Sequence, residues 1–157
     1  MLIKKILIGI DNSKYADNAA RYGFDIAHKF NAKVGLVHIV EPVVMPYNSG
    51  TDPLMGTADL TMADTDLVNI QNTAAQTLID DTIRKFGEGL EVSHYNEFGD
   101  TSDGIINCSR EFGADMIVIG THSRSGIDRL LMGSIAEQVV RQSEIPVLVV
   151  PFVEEGE

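Results

Sequence analysis

Two short stretches of this sequence carry residue types that could do chemistry. The first is Asp11-Asn12-Ser13, a carboxylate, an amide and a hydroxyl directly after an apolar run that ends at Ile10. The second runs Gly120-Thr121-His122-Ser123-Arg124-Ser125-Gly126 and is followed, seven residues on, by Gly133-Ser134. Small residues, hydroxyls and an arginine in that order suit an oxyanion. Gly120 would let a ligand approach the backbone, and Gly133 would open a helix whose free N–H groups and dipole attract phosphate. Ser134 offers a hydroxyl, and Arg124, with Arg129 beyond it, a local positive charge. Asp11 could accept from ribose hydroxyls or hold a divalent cation that phosphate also coordinates. The spacing matches neither standard phosphate fingerprint: no lysine follows the glycines as in a P-loop, and no Gly-x-Gly-x-x-Gly follows the first strand. An ordinary Gly/Ser-rich strand-to-helix turn is the competing reading.

Five apolar runs and four helical stripes must position these residues. The runs cover residues 3–10, 34–40, 90–95, 116–119 and 147–150. The first, fourth and fifth are nearly continuous Ile, Val and Leu, as in strands buried on both faces of a parallel sheet. The third alternates and reads as an edge strand. Ala16, Ala19, Ala20, Gly23, Phe24 and Ala27 form the stripe of an amphipathic helix. A second helix over residues 67–86 uses Leu67, Ile70, Ala74 and Leu78, with Gln71, Ala75, Ile79 and Ile83 alongside, and stops at Gly87. Thr101 or Ser102 caps a third, which turns Ile105, Cys108 and Phe112 to one face and ends at Gly113. A fourth opens at Gly133-Ser134 with Ile135, Ala136, Val139 and Val140 facing inward, before Pro146 restores extended geometry. Residues 41–66, with Pro42, Pro46, Gly50, Pro53 and Gly56, read as a long surface loop inside a single domain spanning residues 1–157. Strict alternation of strand and helix implies right-handed parallel crossovers. In such open sheets, ligands sit beyond the carboxyl ends of the strands, where neighbouring connections diverge. Both chemical stretches fall at strand ends.

Composition narrows the partners. Twelve Lys+Arg against 23 Asp+Glu give a net charge of −11, which repels duplex DNA and anionic membranes over most of the surface. There is no Trp, and aromatics make up 6% of the chain, so base stacking on a platform is disfavoured and no nucleic-acid partner is expected. Cys108 is the only cysteine, which rules out an intramolecular disulfide and a zinc site of the usual spacing. The N-terminal run reads as a strand rather than a signal peptide. No apolar stretch approaches the roughly 20 residues that span a bilayer, so membrane insertion is not expected and a cytoplasmic location is.

The segment IVIGTHSRSGIDRLLMGSIAEQVVRQSEIPVLVVP closely resembles the C-terminal signature of the universal stress protein family. The opening KKILIGIDNSKYADNAARYGFDIAHKFNAKVGLVHIVEP resembles the family's N-terminal half, so the likeness covers nearly all the chain outside residues 41–66. It implies an α/β three-layer sandwich with a five-stranded parallel sheet ordered 3-2-1-4-5, of the adenine nucleotide alpha hydrolase-like type. ATP-binding members carry Gly-x2-Gly-x9-Gly-Ser/Thr; here Gly120, Gly133 and Ser134 fill three positions, and Ser123 replaces the second glycine. By the resemblance, Asp11 would sit near the ribose and a Mg or Mn ion, and the main chain at Ile39 would read the adenine edge. Ile119 and Gly120 would pack by the ribose and phosphates, and His122, Ser123, Gly133, Ser134 and Ile135 would line the phosphate path. The fifth strand would pair with its mate in a homodimer.

The expected function is an ATP-binding stress-response module that acts as a nucleotide-dependent regulator on an unidentified protein partner. The alternative is an interaction protein that keeps the loop for folding and binds no nucleotide. Catalysis has little support: there is no Gly-x-Ser-x-Gly elbow and no HExxH, and a phosphoacceptor receiver would need more acids than Asp11 and a lysine where Pro151 follows the last strand. At most, slow ATP hydrolysis or autophosphorylation would enlist Ser123 or Ser134. Plainer readings stand beside the sharper ones. Asp-Asn-Ser is good turn chemistry, His122 can be a solvated loop residue, and His28, His38 and His94 structural or surface residues. Cys108 reads as inert core, and Met45, Met55 and Met62 as loop filler. Ser123→Gly is expected to hold or improve ATP affinity in calorimetry; a large loss would show that the serine hydroxyl is itself a ligand.

Overall fold

A computed structural model of the chain describes residues 2–42, 58–121 and 132–152. Its elements alternate β1 (Lys5–Gly9), α1 (Lys14–Phe30), β2 (Lys33–Val40), α2 (Ala58–Phe86), β3 (Val92–Phe98), α3 (Thr101–Phe112), β4 (Met116–Gly120), α4 (Ser134–Gln142) and β5 (Val147–Val150). All pairings are parallel and the sheet order is β3-β2-β1-β4-β5. The period of two along β1 shows why its run is apolar throughout. Ile6 and Ile8 enter one core, Leu7 enters the other, and none of the three has exposed surface.

The two cores lie on opposite faces of the sheet. Ala19, Ala20, Phe24 and Ala27 of α1 and Ile79 of α2 pack against Ile6, Ile8, Val34 and Leu36 on one face. Ile105, Cys108 and Phe112 of α3 and Ala136 and Val139 of α4 pack against Leu7, Val37, Ile117 and Ile119 on the other. The connections that follow β1 and β4 therefore leave to opposite faces, which opens a crevice at the C-terminal ends of these adjacent strands.

The stripe of α1 is buried as its spacing predicts, from Ala16 through Ala27. Four other expectations need correction. Helix α2 begins at Ala58, so part of the segment read as loop is helical, and its seam is rotated: Ile70 is 66% exposed while Ala75 and Ile79 are buried. The cap of α3 is Asp100, whose side chain accepts from the Asp103 amide, rather than Thr101 or Ser102. Strand β3 is shifted to Val92–Phe98, because Gly89 at φ 77° and the turn around it delay its start. Val140 is exposed, since α4 presents only the face of Ala136 and Val139 to α3 and the sheet.

Glycine spacing sets how closely α1 lies on the sheet. A Cβ at Gly23 would stand 2.6 Å from Ile8 Cδ1 and 2.9 Å from its Cγ1. Helix propensity favours alanine over glycine by about 1 kcal/mol, but overpacking a full core costs about 1–3 kcal/mol. Gly23→Ala is therefore expected to lower the urea midpoint, and adding Ile8→Val to recover most of the loss. A stabilised single variant would show that Ile8 has another rotamer open to it.

Candidate functional site

Strand β1 ends at Gly9, and the chain turns at Asp11 into α1. Asp11 Oδ1 accepts from the Ser13 amide at 2.7 Å, and Ser13 Oγ accepts from the Ala16 amide at 3.2 Å as the cap of α1. The turn-forming and ligand-binding readings of Asp11 are thus compatible: one carboxylate oxygen holds the turn while the side chain lines a cleft. That cleft has a volume of about 470 Å³ and lies at the C-terminal edge of the sheet. Ile39, Ile119, Gly120, Gly133, Ser134 and Ile135 also line it, together with Thr121 and Ala136. Seven of the ten residues predicted for the site are thereby brought together; His122, Ser123 and Arg124 lie outside the described residues, as do Met45 and Met55.

Gly120 has a structural reason as well as its place in the cleft. A Cβ there would come within 2.8 Å of the Tyr15 carbonyl oxygen, so the glycine lets β4 approach the first turn of α1. Beyond it, the Thr121 amide donates to the Val150 carbonyl at 3.2 Å, and the Gly133 amide donates to the Thr121 carbonyl at 2.7 Å. Those bonds fix the start of α4 beside the tip of β4.

The helix N-termini at the cleft differ in charge. Helix α3 is capped by the Asp100 carboxylate, so an anion already sits at its positive end. Helix α4 has Gly133 at its cap, with φ −58° and ψ 153°, and among the described residues it has no side-chain cap hydrogen bond. Of the two, α4 is the one open to an exogenous anion. Ser102, 2% exposed, ties the two helices together: its hydroxyl lies 2.7 Å from Asp100 Oδ1 and 2.8 Å from Gln138 Oε1.

At the other end of the cleft, β2 runs past β1. Pairing with β1 stops at Gly9↔Val37, and the Ile10 amide takes the Val37 carbonyl at 2.9 Å. Backbone groups alternate sides along a strand, so the N–H and C=O of Ile39 point the same way as the Val37 carbonyl, beyond the last rung. They face the cleft as an adjacent donor and acceptor. The rim there also carries the pair of Thr101 and Glu41, with Thr101 Oγ1 donating to Glu41 Oε1 at 2.6 Å. Sequence reasoning missed this pair and the wall formed by Gln71, Ala74, Ala75 and Leu78 of α2. The available signal for Glu41 was its place at a strand's carboxyl end.

Other residues take structural roles, His38 among them although it also lines the cleft. His38 Nδ1 is 3.1 Å from Asn96 Oδ1, and His28 Nε2 is 3.1 Å from the Phe86 carbonyl. Cys108 is buried, and burial, with Glu97 and Glu111 adding to it, pushes its thiol up to about 11, which leaves little thiolate at neutral pH. Among the described residues no group of three or more His, Cys, Asp or Glu could hold a metal ion alone, and no helix is long and apolar enough to cross a membrane.

Residues 2–151 match the model of the universal stress protein family. This chain belongs to that family. A universal stress protein of Methanocaldococcus jannaschii, MJ0531, is 31% identical over 151 residues, covering 95% of this chain and 82% of that one. The solved structure of MJ0577, another universal stress protein of that organism, superposes with a TM-score of 0.81 at 22% identity and covers 99% of this chain and 100% of its own. Two further structures of the fold were solved with nucleotides. One universal stress protein holds cAMP (TM-score 0.63, 21% identity, 98% and 100% covered), and one from Archaeoglobus fulgidus holds dAMP (0.58, 23%, 95% and 98%).

In this universal stress protein the cap of α3 carries a testable electrostatic signature. The Asp103 amide first, and the Ser102 hydroxyl second, hold the Asp100 carboxyl below its usual 3.8. A carboxylate with a lowered folded-state pKa stabilises above the unfolded value and loses that contribution as pH falls through the folded one. Asp100→Ala is expected to cost about 1 kcal/mol at pH 7. The gap from the parent should narrow as pH drops below about 3.8. Unfolding curves at pH 7 and pH 3 check this; a constant gap would mean that the carboxylate's charge is irrelevant to the cap.

Proposed function

We propose that this universal stress protein binds an adenine nucleotide, ATP with Mg or Mn, and acts as a nucleotide-dependent stress-response module. The observation that carries the reading is the first turn of α4, which has no side-chain cap among the described residues and lines the cleft together with Gly120 and Asp11. It supports phosphate at that end, because the competing α3 terminus already holds Asp100. The ribose then falls by Asp11, and the base falls by the N–H and C=O of Ile39. The relatives that hold cAMP and dAMP support the same ligand class. His122, Ser123 and Arg124 would complete the phosphate path, by resemblance.

The donor set also fits a divalent cation. Asp11 is a single carboxylate with one oxygen engaged by Ser13, so the ion would take its other ligands from phosphate and water, as Mg does. The ion would offset phosphate charge in a chain of net charge −11. Dimerisation through β5 belongs to the same proposal: β4 pairs one edge of the strand, while Val147, Leu148 and Val149 are only half-buried. A protein partner would read the nucleotide state.

The test is mass spectrometry of small molecules released from the denatured protein, together with calorimetric titration of ATP and Mg. Recovered ATP or saturable binding sustains the reading. Absence of both transfers it to an interaction module that binds no nucleotide. Gly133→Asp separates site from scaffold. Its backbone angles suit any residue, and aspartate caps a helix a few tenths of a kcal/mol better than glycine. The variant is expected to melt no lower than the parent yet lose ATP binding, since its own carboxylate takes the amides meant for phosphate. Unchanged affinity would sink the site assignment.

A further inference from the structure

We infer that the outer edge of β3 receives an extended segment of a protein partner, with lysine or arginine at alternate positions, as a sixth strand of the sheet. Strand β3 ends the sheet order, so only β2 pairs with it among the described residues. The Val34 amide donates to the Glu91 carbonyl at 2.9 Å, and the Gly99 amide donates to the Val40 carbonyl at 3.1 Å. With the register, those two bonds fix which backbone groups are used: the odd-numbered residues from Glu91 to Gly99 turn theirs to β2. Val92, His94, Asn96 and Phe98 therefore turn their N–H and C=O groups outward. An edge of this length is ordinarily blunted by lysine, proline or a bulge. Strand β3 reads VSHYNEF, has none of these, and stays in register with β2 along its whole length.

Charge decides what can lie there. A groove of about 290 Å³ between β3 and α3 is lined by Glu97, Asp100, Asp103 and Glu111 and by no lysine or arginine. Tyr95 meets Phe112 of α3, with 6.1 Å between ring centroids, so Glu97, two residues on, faces α3 as well. Asp103, Asn107 and Glu111 stand on successive turns of one face of α3, and Asp103 to Glu111 spans about 12 Å. Glu97 and Glu111 both lie near enough to Cys108 to raise its thiol. Among the described residues, none of Glu97, Asp103 and Glu111 takes part in an ion pair. An added strand would put its residues i, i+2 and i+4 on this face, about 13 Å from first to last, which matches the carboxylates if those residues are basic. A second copy of this chain fits poorly, because it would bring a net charge of −11 and its own carboxylates to the same edge. The groove shares no residue with the nucleotide cleft, so this surface is a separate one and stands whether or not a nucleotide binds.

The test uses the full chain and a labelled, end-capped heptapeptide of alternating valine and lysine, read by fluorescence anisotropy. Saturable binding is expected, weakened by about tenfold or more when glutamate replaces every lysine. It should also weaken as salt rises from about 0.05 to about 0.3 M. Two further peptides carry N-methyl groups on every second amide, in one phase or the other. An added strand bonds β3 through one of its own edges only, so one phase is expected to lose binding and the other to keep it. Glu97→Gln and Glu111→Gln are each expected to weaken binding by roughly 1.5- to 5-fold, the range of an exposed ion pair. His94→Pro removes one outward N–H on an edge strand, where proline is tolerated, and should cost roughly two- to tenfold, the range of one hydrogen bond. The N-methyl comparison on the parent decides the matter even if that variant fails to fold. No binding of the lysine peptide, equal binding of the glutamate peptide, or two N-methylated phases that bind alike overturns the added strand. A parent whose mass in gel filtration falls on His94→Pro has a second copy on this edge, which overturns it too.

Discussion

Strand β1 pairs with β2 on one side and β4 on the other, and the chain leaves β1 and β4 toward opposite faces of the sheet. Two packed helical layers cannot both close over the strand ends at that place, so a crevice is a geometric necessity. Its walls are then set by how near the layers come. Gly120 admits the first turn of α1 against β4, and Gly23 seats the same helix on Ile8. The position of Asp11 depends on both contacts. The cleft is in this sense a by-product of core packing, and its chemistry is added by whatever residues stand at the strand ends.

Charge at the helix termini gives the cleft a direction. A terminus filled by its own aspartate and a terminus with no side-chain cap among the described residues flank the cleft, and an anionic ligand can lower its energy at only one of them. The acidic surface does not oppose this. A field of −11 spread over the molecule is screened within about 10 Å at moderate salt, whereas the α4 amides would act at hydrogen-bond distance.

Much of this was legible in the residues. Continuous Ile/Val/Leu runs gave the buried strands β1 and β4, although β5, read the same way, is an edge strand with Val147, Leu148 and Val149 half-buried. The stripe from Ala16 to Ala27 gave the inward face of α1, because burial there is decided by periodicity alone. Asp11 and Gly133 were legible because strand ends and helix starts leave strong local signatures. Other features depend on distant partners. The seam of α2 follows from where that long helix crosses the sheet, which leaves Ile70 exposed although its spacing fits the stripe. Asp100 displaced Thr101 and Ser102 as a cap because Ser102 is drawn toward Gln138, 36 residues away, and Thr101 toward Glu41, 60 residues away. No local pattern encodes those meetings, and the pairing of Glu41 with Thr101 escaped for the same reason.

The backbone bonds that start α4 have a consequence for motion. Gly133 leans on Thr121, Thr121 leans on Val150, and the next carbonyl, that of Pro151, takes the Asn18 side-chain amide of α1 at 3.1 Å. The series runs without a break from the mouth of the cleft to the outermost strand. In hydrogen exchange the amide protons of Thr121 and Gly133 would therefore share one opening event, and a ligand that slowed one would slow the other and stiffen the margin of the sheet with it.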